Sequence, residues 1–251
     1  MLFNSIEFLV FLILVISIIF VFKYRNFQHI FLLFASYFFF YFSSNVLISL
    51  LIFSTFLDFY IGKAIANSKN IKQKKILLII SLSGNLGLLG FFKYVDFSIE
   101  QFNTIANIFG ISEIPLLHLL LPIGISFYTF QTISYTVDIY RGKLKPSQSL
   151  REFALFVSFF PQLVAGPIVR ASEFLPQLRE KLDNFDSRKI KLIIIKNHNF
   201  KLGITMMAFG FFKKMFFADN IAPLVNDIFS SPIGMDSFTI ILGTIAFGIQ
   251  I

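Results

Sequence analysis

From Asn26 to Leu57 the chain carries no charged side chain, and a neutral His29 is its one imidazole there. That run exceeds the roughly 20 apolar residues one helix needs to cross a bilayer, so it calls for two helices in apolar surroundings. The rest of the composition agrees. Hydrophobic residues are 56% of the 251 and charged ones 14%, against a charged share of roughly 25% in soluble domains. A mean hydropathy of +0.76 would force phenylalanine onto a water-facing surface. These features exclude a soluble enzyme, a nucleic-acid reader and a disordered tail. The expected fold class is an all-α polytopic membrane protein, a multi-span helical bundle. Its net charge of +8 is read as Lys and Arg in cytoplasmic loops facing anionic lipid, so membrane lipid is the expected partner and nucleic acid is not. With no Cys, disulfides, thiolate metal sites and cysteine nucleophiles are excluded.

The first apolar stretch, 2–22, is too long for a signal-peptide core and lacks a basic start, so it reads as a retained span. Ser43, Ser44 and Asn45 divide the next run into spans over 30–43 and 46–66. A basic loop with Lys69, Lys72, Lys74 and Lys75 precedes a span over 76–92, where Gly84, Gly87 and Gly90 would let another helix approach closely. Residues 94–113 hold Asp96, Glu100 and Glu113 among apolar residues and read as an interfacial amphipathic segment. A span over 114–137 follows, ending at Asp138, Arg141, Lys143 and Lys145. The basic loops after alternate spans then share one side. The positive-inside rule makes that side cytoplasmic and places the N-terminus outside.

The apolar stretch 153–169 breaks this alternation, because both of its flanks are basic and Pro161 lies at its middle. A re-entrant hairpin returning to the cytoplasm satisfies both constraints, and its non-helical backbone must then be buried in protein or line a wet cavity. Residues 170–201 read as a polar cytoplasmic segment, 202–217 as a further span, and Asp219, Asp227 and Asp236 as part of an outer loop. The final run, 238–251, reads as an incomplete span. No internal repeat supports an inverted-repeat transporter.

Acid–base candidates are few. His29 reads as interfacial, His118 as a buried histidine in an apolar helix, and His198 as part of a solvated loop. None has metal-ligand spacing, and there is no Ser-His-Asp set or Gly-rich phosphate loop. Gln131, Tyr135 and Asp138 fall at i, i+4 and i+7 and share one helix face. In lipid such groups must be paired or face water, which turns that face inward, as a structural latch or as a substrate surface. Asp138 and Arg141, three apart, have the spacing of an ion pair.

Three segments carry a resemblance: Leu121-Pro-Ile-Gly-Ile-Ser-Phe-Tyr-Thr-Phe-Gln131, Tyr135-Thr-Val-Asp-Ile-Tyr-Arg-Gly142 and Phe159-Phe-Pro-Gln-Leu-Val-Ala-Gly-Pro-Ile-Val-Arg170. In this order they resemble successive motifs of the membrane-bound O-acyltransferase (MBOAT) family. The nearest branch is the bacterial one with alginate O-acetyltransferase and the D-alanyl transferase of teichoic acids. Asn85 to Tyr94, Phe211 to Met215 and Ala218 to Asn220 add further matches. The resemblance implies a multi-span bundle around a tunnel in the bacterial inner membrane, with re-entrant segments near 153–169. Gln131, Tyr135, Asp138, Arg141, Gln162, Gly166, Pro167 and Arg170 would line that tunnel or brace it. No bound cofactor is implied. The acyl donor, acetyl-CoA or an acyl carrier thioester, is a substrate taken from the cytoplasm, and the acceptor is a hydroxyl outside. An acyl carrier protein and an extracytoplasmic acyltransferase are the implied partners.

Family members use an intramembrane His as general base, and it lies in a Trp- and Arg-rich motif downstream of the region matching 202–251. This chain has no Trp, and none of its three histidines fits that motif. The catalytic residue is therefore expected beyond Ile251, the chain is expected to be an N-terminal portion, and by itself to be inactive. The leading expectation is O-acetyl transfer to a cell-surface polysaccharide such as alginate. A non-catalytic scaffold, or half of a split enzyme binding a partner acyltransferase, is the alternative; D-alanyl transfer to teichoic acid is third.

Overall fold

The computed structural model describes residues 3, 5–22, 24–163, 169–183, 197–230 and 235–250. The described residues form helices and connecting segments without strands. The chain divides into two units, Met1–Ile193 and Ile194–Ile251.

In the first unit, α1 (Ile6–Val21) begins where the Ser5 hydroxyl accepts the Phe8 N–H at 3.2 Å, satisfying one of the free donors of a helix start. Near its other end the Ile19 carbonyl accepts a hydrogen bond from the buried Gln28 amide at 2.9 Å, which ties α2 (Arg25–Ser44) to α1. The chain breaks at Asn45, whose φ is +49°, passes through one 3-10 turn, and resumes as α3 (Ile48–Asn67). Next comes α4 (Ile71–Ile108), capped by the Asn70 side chain, which accepts the Lys72 N–H at 2.9 Å.

Among the described residues, Asn26–Asn67 and Ile71–Ile108 are the stretches long and apolar enough to cross a bilayer, with mean hydropathies of 1.7 and 1.8. The 38 residues of α4 extend about 57 Å at ~1.5 Å per residue, well beyond a hydrocarbon core of roughly 30 Å. Most of the segment read as interfacial over 94–113 is helical and continuous with the preceding span. Residues 94–108 continue α4 without a break, because no Pro or helix-ending Gly interrupts them before Gly110 (φ +68°).

Residues 111–122 are not helical and run back along α4. The Asn103 side chain donates to the Ile114 carbonyl at 2.8 Å and accepts the Ile114 N–H at 2.9 Å, and the Asp96 carboxylate accepts the Leu117 N–H at 2.8 Å. The helix expected from 114 starts instead at Ile125, as α5 (Ile125–Tyr140), after Pro122 and the left-handed Gly124 (φ +78°). His118 is accordingly exposed in this extended segment, with φ +49°, and not buried in a helix.

α6 (Leu150–Ser158) and the single turn α7 (Phe160–Leu163) follow, then α8 (Ala171–Asp183). One apolar core joins α3, α4, α5, α6 and α8 through Leu51, Phe59, Leu89, Tyr135, Phe156 and Leu175. A second joins α1 and α2 to the α6–α7 break, with the Phe11 and Phe160 rings edge to face at 5.2 Å. His29, near the start of α2, is buried against neighbouring helices at 2% exposure.

In the second unit, α9 (Asn197–Phe212) widens into a π turn at Lys213–Ala218, where Lys214 pairs with Asp219, and continues as α10 (Asp219–Ser230). α11 (Ser237–Gln250) packs on α10 where Gly243 admits Ile228. The outer loop expected around Asp219 and Asp227 is therefore helical. His198 is exposed in the first turn of α9, not in a loop.

Candidate functional site

α3, α4 and α5 meet on a polar knot inside apolar surroundings. Asp58, Ser81, Asn85, Thr132 and Thr136 are each fully buried. The Ser81 hydroxyl donates to Asp58 Oδ1 at 2.6 Å and lies 3.1 Å from Thr136 Oγ1. Asn85 Nδ2 donates to Asp58 Oδ2 at 2.7 Å, and the Thr132 hydroxyl donates to Asn85 Oδ1 at 3.3 Å. One carboxylate from α3 thus takes two donors from α4, and α5 closes the network. A buried carboxylate needs such donors, since burial without them is costly. Packing is tight around the knot: a Cβ on Gly62 would lie 2.7 Å from the Tyr135 ring, and one on Gly84 would lie 2.7 Å from Leu57. Gly87 and Gly90 have nothing within 4 Å, so of the three glycines singled out in α4, Gly84 alone marks a close approach among the described residues.

The face of α5 carrying Gln131, Tyr135 and Asp138 is buried, at 3%, 0% and 9% exposure. Its first two members hold the segment that follows. Phe159 leaves the helical region (ψ 108°) and ends α6. Phe160 N–H then donates to the Ser36 hydroxyl at 3.3 Å, so it no longer serves the Phe156 carbonyl four residues back. That freed carbonyl instead accepts the Gln131 amide at 2.7 Å and the Gln162 amide at 3.1 Å. Pro161, which has no N–H to lose, stands in the first turn of α7. One glutamine distant in sequence and one just beyond the break thereby satisfy backbone that would otherwise be stranded.

The Tyr135 hydroxyl accepts the Ser147 N–H at 3.0 Å, and its ring lies 4.3 Å from that of Phe153. Ser147 in turn donates to Glu152 Oε2 at 2.6 Å. Ser149 and Glu152 have the spacing of a capping box, yet the glutamate reaches past the cap to Ser147.

Asp138 and Arg141 do not form the ion pair that their spacing suggests: among the described residues none joins them, and Arg141 is exposed. α5 ends there in a Schellman motif. The Gly142 N–H bonds the Ile139 carbonyl at 3.0 Å, and the Lys143 N–H bonds the Asp138 carbonyl at 2.9 Å, with Gly142 at φ +72°. Arg170 is exposed just before α8, where its carbonyl accepts the Glu173 N–H at 3.0 Å. Gly166 and Pro167 lie outside the described residues.

Sequence reasoning missed the Asp58 knot. The signal was present: Asp58 is the sole charge between Asn26 and Gly62, and an ionisable residue inside an apolar span is a functional or structural centre by default.

A family model for the membrane-bound O-acyltransferases matches residues 144–249, which include the α6–α7 break. The chain carries an MBOAT family domain. Over its greater length it is similar to proteins named as O-acetylases or O-acetyltransferases. It is 34% identical over 232 residues to "probable alginate O-acetylase AlgI" of Pseudomonas putida, covering 91% of this chain and 44% of that relative. It is 35% identical over 232 residues to the protein of the same name from Pseudomonas aeruginosa, covering 91% and 41%. A "peptidoglycan O-acetyltransferase" of Helicobacter pylori is 34% identical over 220 residues, covering 78% and 39%. The chain thus spans less than half the length of these relatives. No solved structure matches it.

Proposed function

We propose that this chain is part of a membrane O-acyltransferase that moves an acetyl group from a cytoplasmic thioester to a hydroxyl of a cell-surface polysaccharide. The observation that carries the reading is the likeness, over 91% of the chain, to relatives named as alginate O-acetylases, together with the family domain over residues 144–249. The reaction needs the acceptor hydroxyl to attack the thioester carbonyl while a base takes its proton and the thiol leaves. Within the chain, the break between α6 and α7, braced by Gln131 and Gln162, supports a re-entrant segment beside the substrate path. Tyr135, Asp138, Arg141 and Arg170 belong to the same wall. The basic loops face the cytoplasm and the N-terminus faces outward, in the bacterial inner membrane.

No histidine described above suits the base: His29 is buried in α2, and His118 and His198 are exposed. The proposal is therefore that acetyl transfer needs residues outside this chain. The purified 251-residue chain, reconstituted with radiolabelled acetyl-CoA or an acetylated carrier protein and a polysaccharide acceptor, is expected to give no transfer above background. Turnover by the chain alone would overturn that part of the proposal. Capture of a partner acyltransferase without restored activity would favour the scaffold reading instead.

A further inference from the structure

We infer that the loop after α3 and the loop after α5 together form one binding site for the headgroup of an anionic phospholipid. The observation is a register. Ser81 meets Thr136 and Asn85 meets Thr132, so α4 and α5 run antiparallel, and each turn toward the start of α4 is a turn toward the end of α5. The start of α4 and the end of α5 therefore lie together, so Lys72 and Lys74 sit at the same end of the helix pair as Lys143 and Lys145 in the loop after α5. Lys63 joins the same end, its Nζ donating to the Gln148 carbonyl at 3.2 Å and so fastening α3 to the second loop. The Schellman motif fixes where Lys143 leaves α5.

Among the described residues no ion pair neutralises this charge. No acidic residue occurs in 63–75 or 139–151, and the flanking acids turn inward, Asp138 at 9% exposure and Glu152 at 5% and bonded to Ser147. Lys69, Lys72, Lys75, Lys143 and Lys145 are exposed. Helix stability does not explain them, because Lys72, Lys74 and Lys75 crowd the positive end of the α4 dipole, where cations are unfavourable. An anion seated there would meet both the lysines and the helix end.

Apolar surface beside the lysines selects a lipid as the occupant over a free anion. Ile71 and Ile76 are 76% and 58% exposed among the lysines of α4, and Tyr60 is 60% exposed on α3. A phospholipid supplies phosphate for the lysines and acyl chains for that flank; basic pockets between helices at the membrane surface suit such headgroups.

The test uses the full chain in phosphatidylcholine–detergent micelles, with the thermal unfolding midpoint followed as cardiolipin is added. The midpoint is expected to rise and saturate. Each lysine near the surface contributes about fivefold in affinity. Lys72→Gln with Lys74→Gln should therefore weaken the cardiolipin response about 25-fold, and so should Lys143→Gln with Lys145→Gln. Lys72→Arg with Lys74→Arg should keep it, and Lys213→Gln with Lys214→Gln, in the other unit, should leave it unchanged. An equal loss from the Lys213 and Lys214 pair would overturn the proposal in favour of diffuse charge. An equal rise with pyrophosphate would overturn it in favour of a free-phosphate site, and so would the absence of any cardiolipin effect.

Discussion

Replacing Asp58 by Ala removes the acceptor for the Ser81 hydroxyl at 2.6 Å and for the Asn85 amide at 2.7 Å, in a knot closed to solvent. A stranded buried donor costs about 1–3 kcal/mol, so two would cost about 2–6 kcal/mol. Two effects pull this down. Interhelical hydrogen bonds in membranes average only about 0.6 kcal/mol, because the unfolded chain in lipid also finds partners. Ser81 can also turn to Thr136 at 3.1 Å, and Asn85 keeps its bond to the Ser81 carbonyl at 3.0 Å. The expected loss is therefore about 2 kcal/mol, the low end of the stranded-donor range. Asp58→Asn keeps one acceptor oxygen and should lose about half as much. Unfolding free energy in bicelles measures both. A cycle combining Asp58→Ala with Asn85→Ala should show coupling of about 1 kcal/mol, as expected of residues in one network. If Asp58→Ala stays within about 0.5 kcal/mol of the parent, the knot does not hold the three helices together.

Glycine gives a paired contrast: Gly62→Ala drives a Cβ to 2.7 Å from Tyr135 and should cost about 1–3 kcal/mol. Gly87→Ala, in open space, should be neutral or stabilise by up to about 1 kcal/mol, read in the same unfolding assay. Gln131→Leu alone should cost about 1 kcal/mol because Gln162 still serves the Phe156 carbonyl. The double variant with Gln162→Leu strands that carbonyl and should lose more than the sum of the two single changes. At the start of α11, hydrogen bonds from the Thr239 hydroxyl and N–H hold the Asp236 carboxyl below its ordinary range. Its support of the helix is thus complete above the ordinary carboxylate pKa and is lost as pH falls through the lower folded value. The melting difference between the parent and Asp236→Ala should be present at neutral pH and shrink as the pH falls below the ordinary carboxylate pKa of about 4.

The helical class and the family were legible in the sequence, since uncharged runs longer than a bilayer admit few other folds and the motifs around Tyr128 and Pro161 are long. The inward face of Gln131 and Tyr135 was legible too, because helical spacing alone puts them on one side. Their partners were not. Phe156 and Ser147 lie on other elements, and only the helix break at Phe159 frees the carbonyl that Gln131 takes. The continuity of α4 through residues 94–108 was not legible, because acidic residues after Tyr94 mark a polar boundary but say nothing of whether the helix stops there. His118 was misread because its neighbours are apolar. Pro115, Pro122 and Gly124 around it were the signs of extended backbone.

Acetyl transfer in cells tests the central claim most directly. This chain would be produced in a Pseudomonas putida strain lacking its own "probable alginate O-acetylase AlgI", alone or together with the part of that relative beyond the matched region. Acetyl esters on the exported polysaccharide would then be counted by proton NMR. The account predicts esters when the two parts are present together and none with either alone. Esters with this chain alone, or none with both parts present in the membrane, would contradict it.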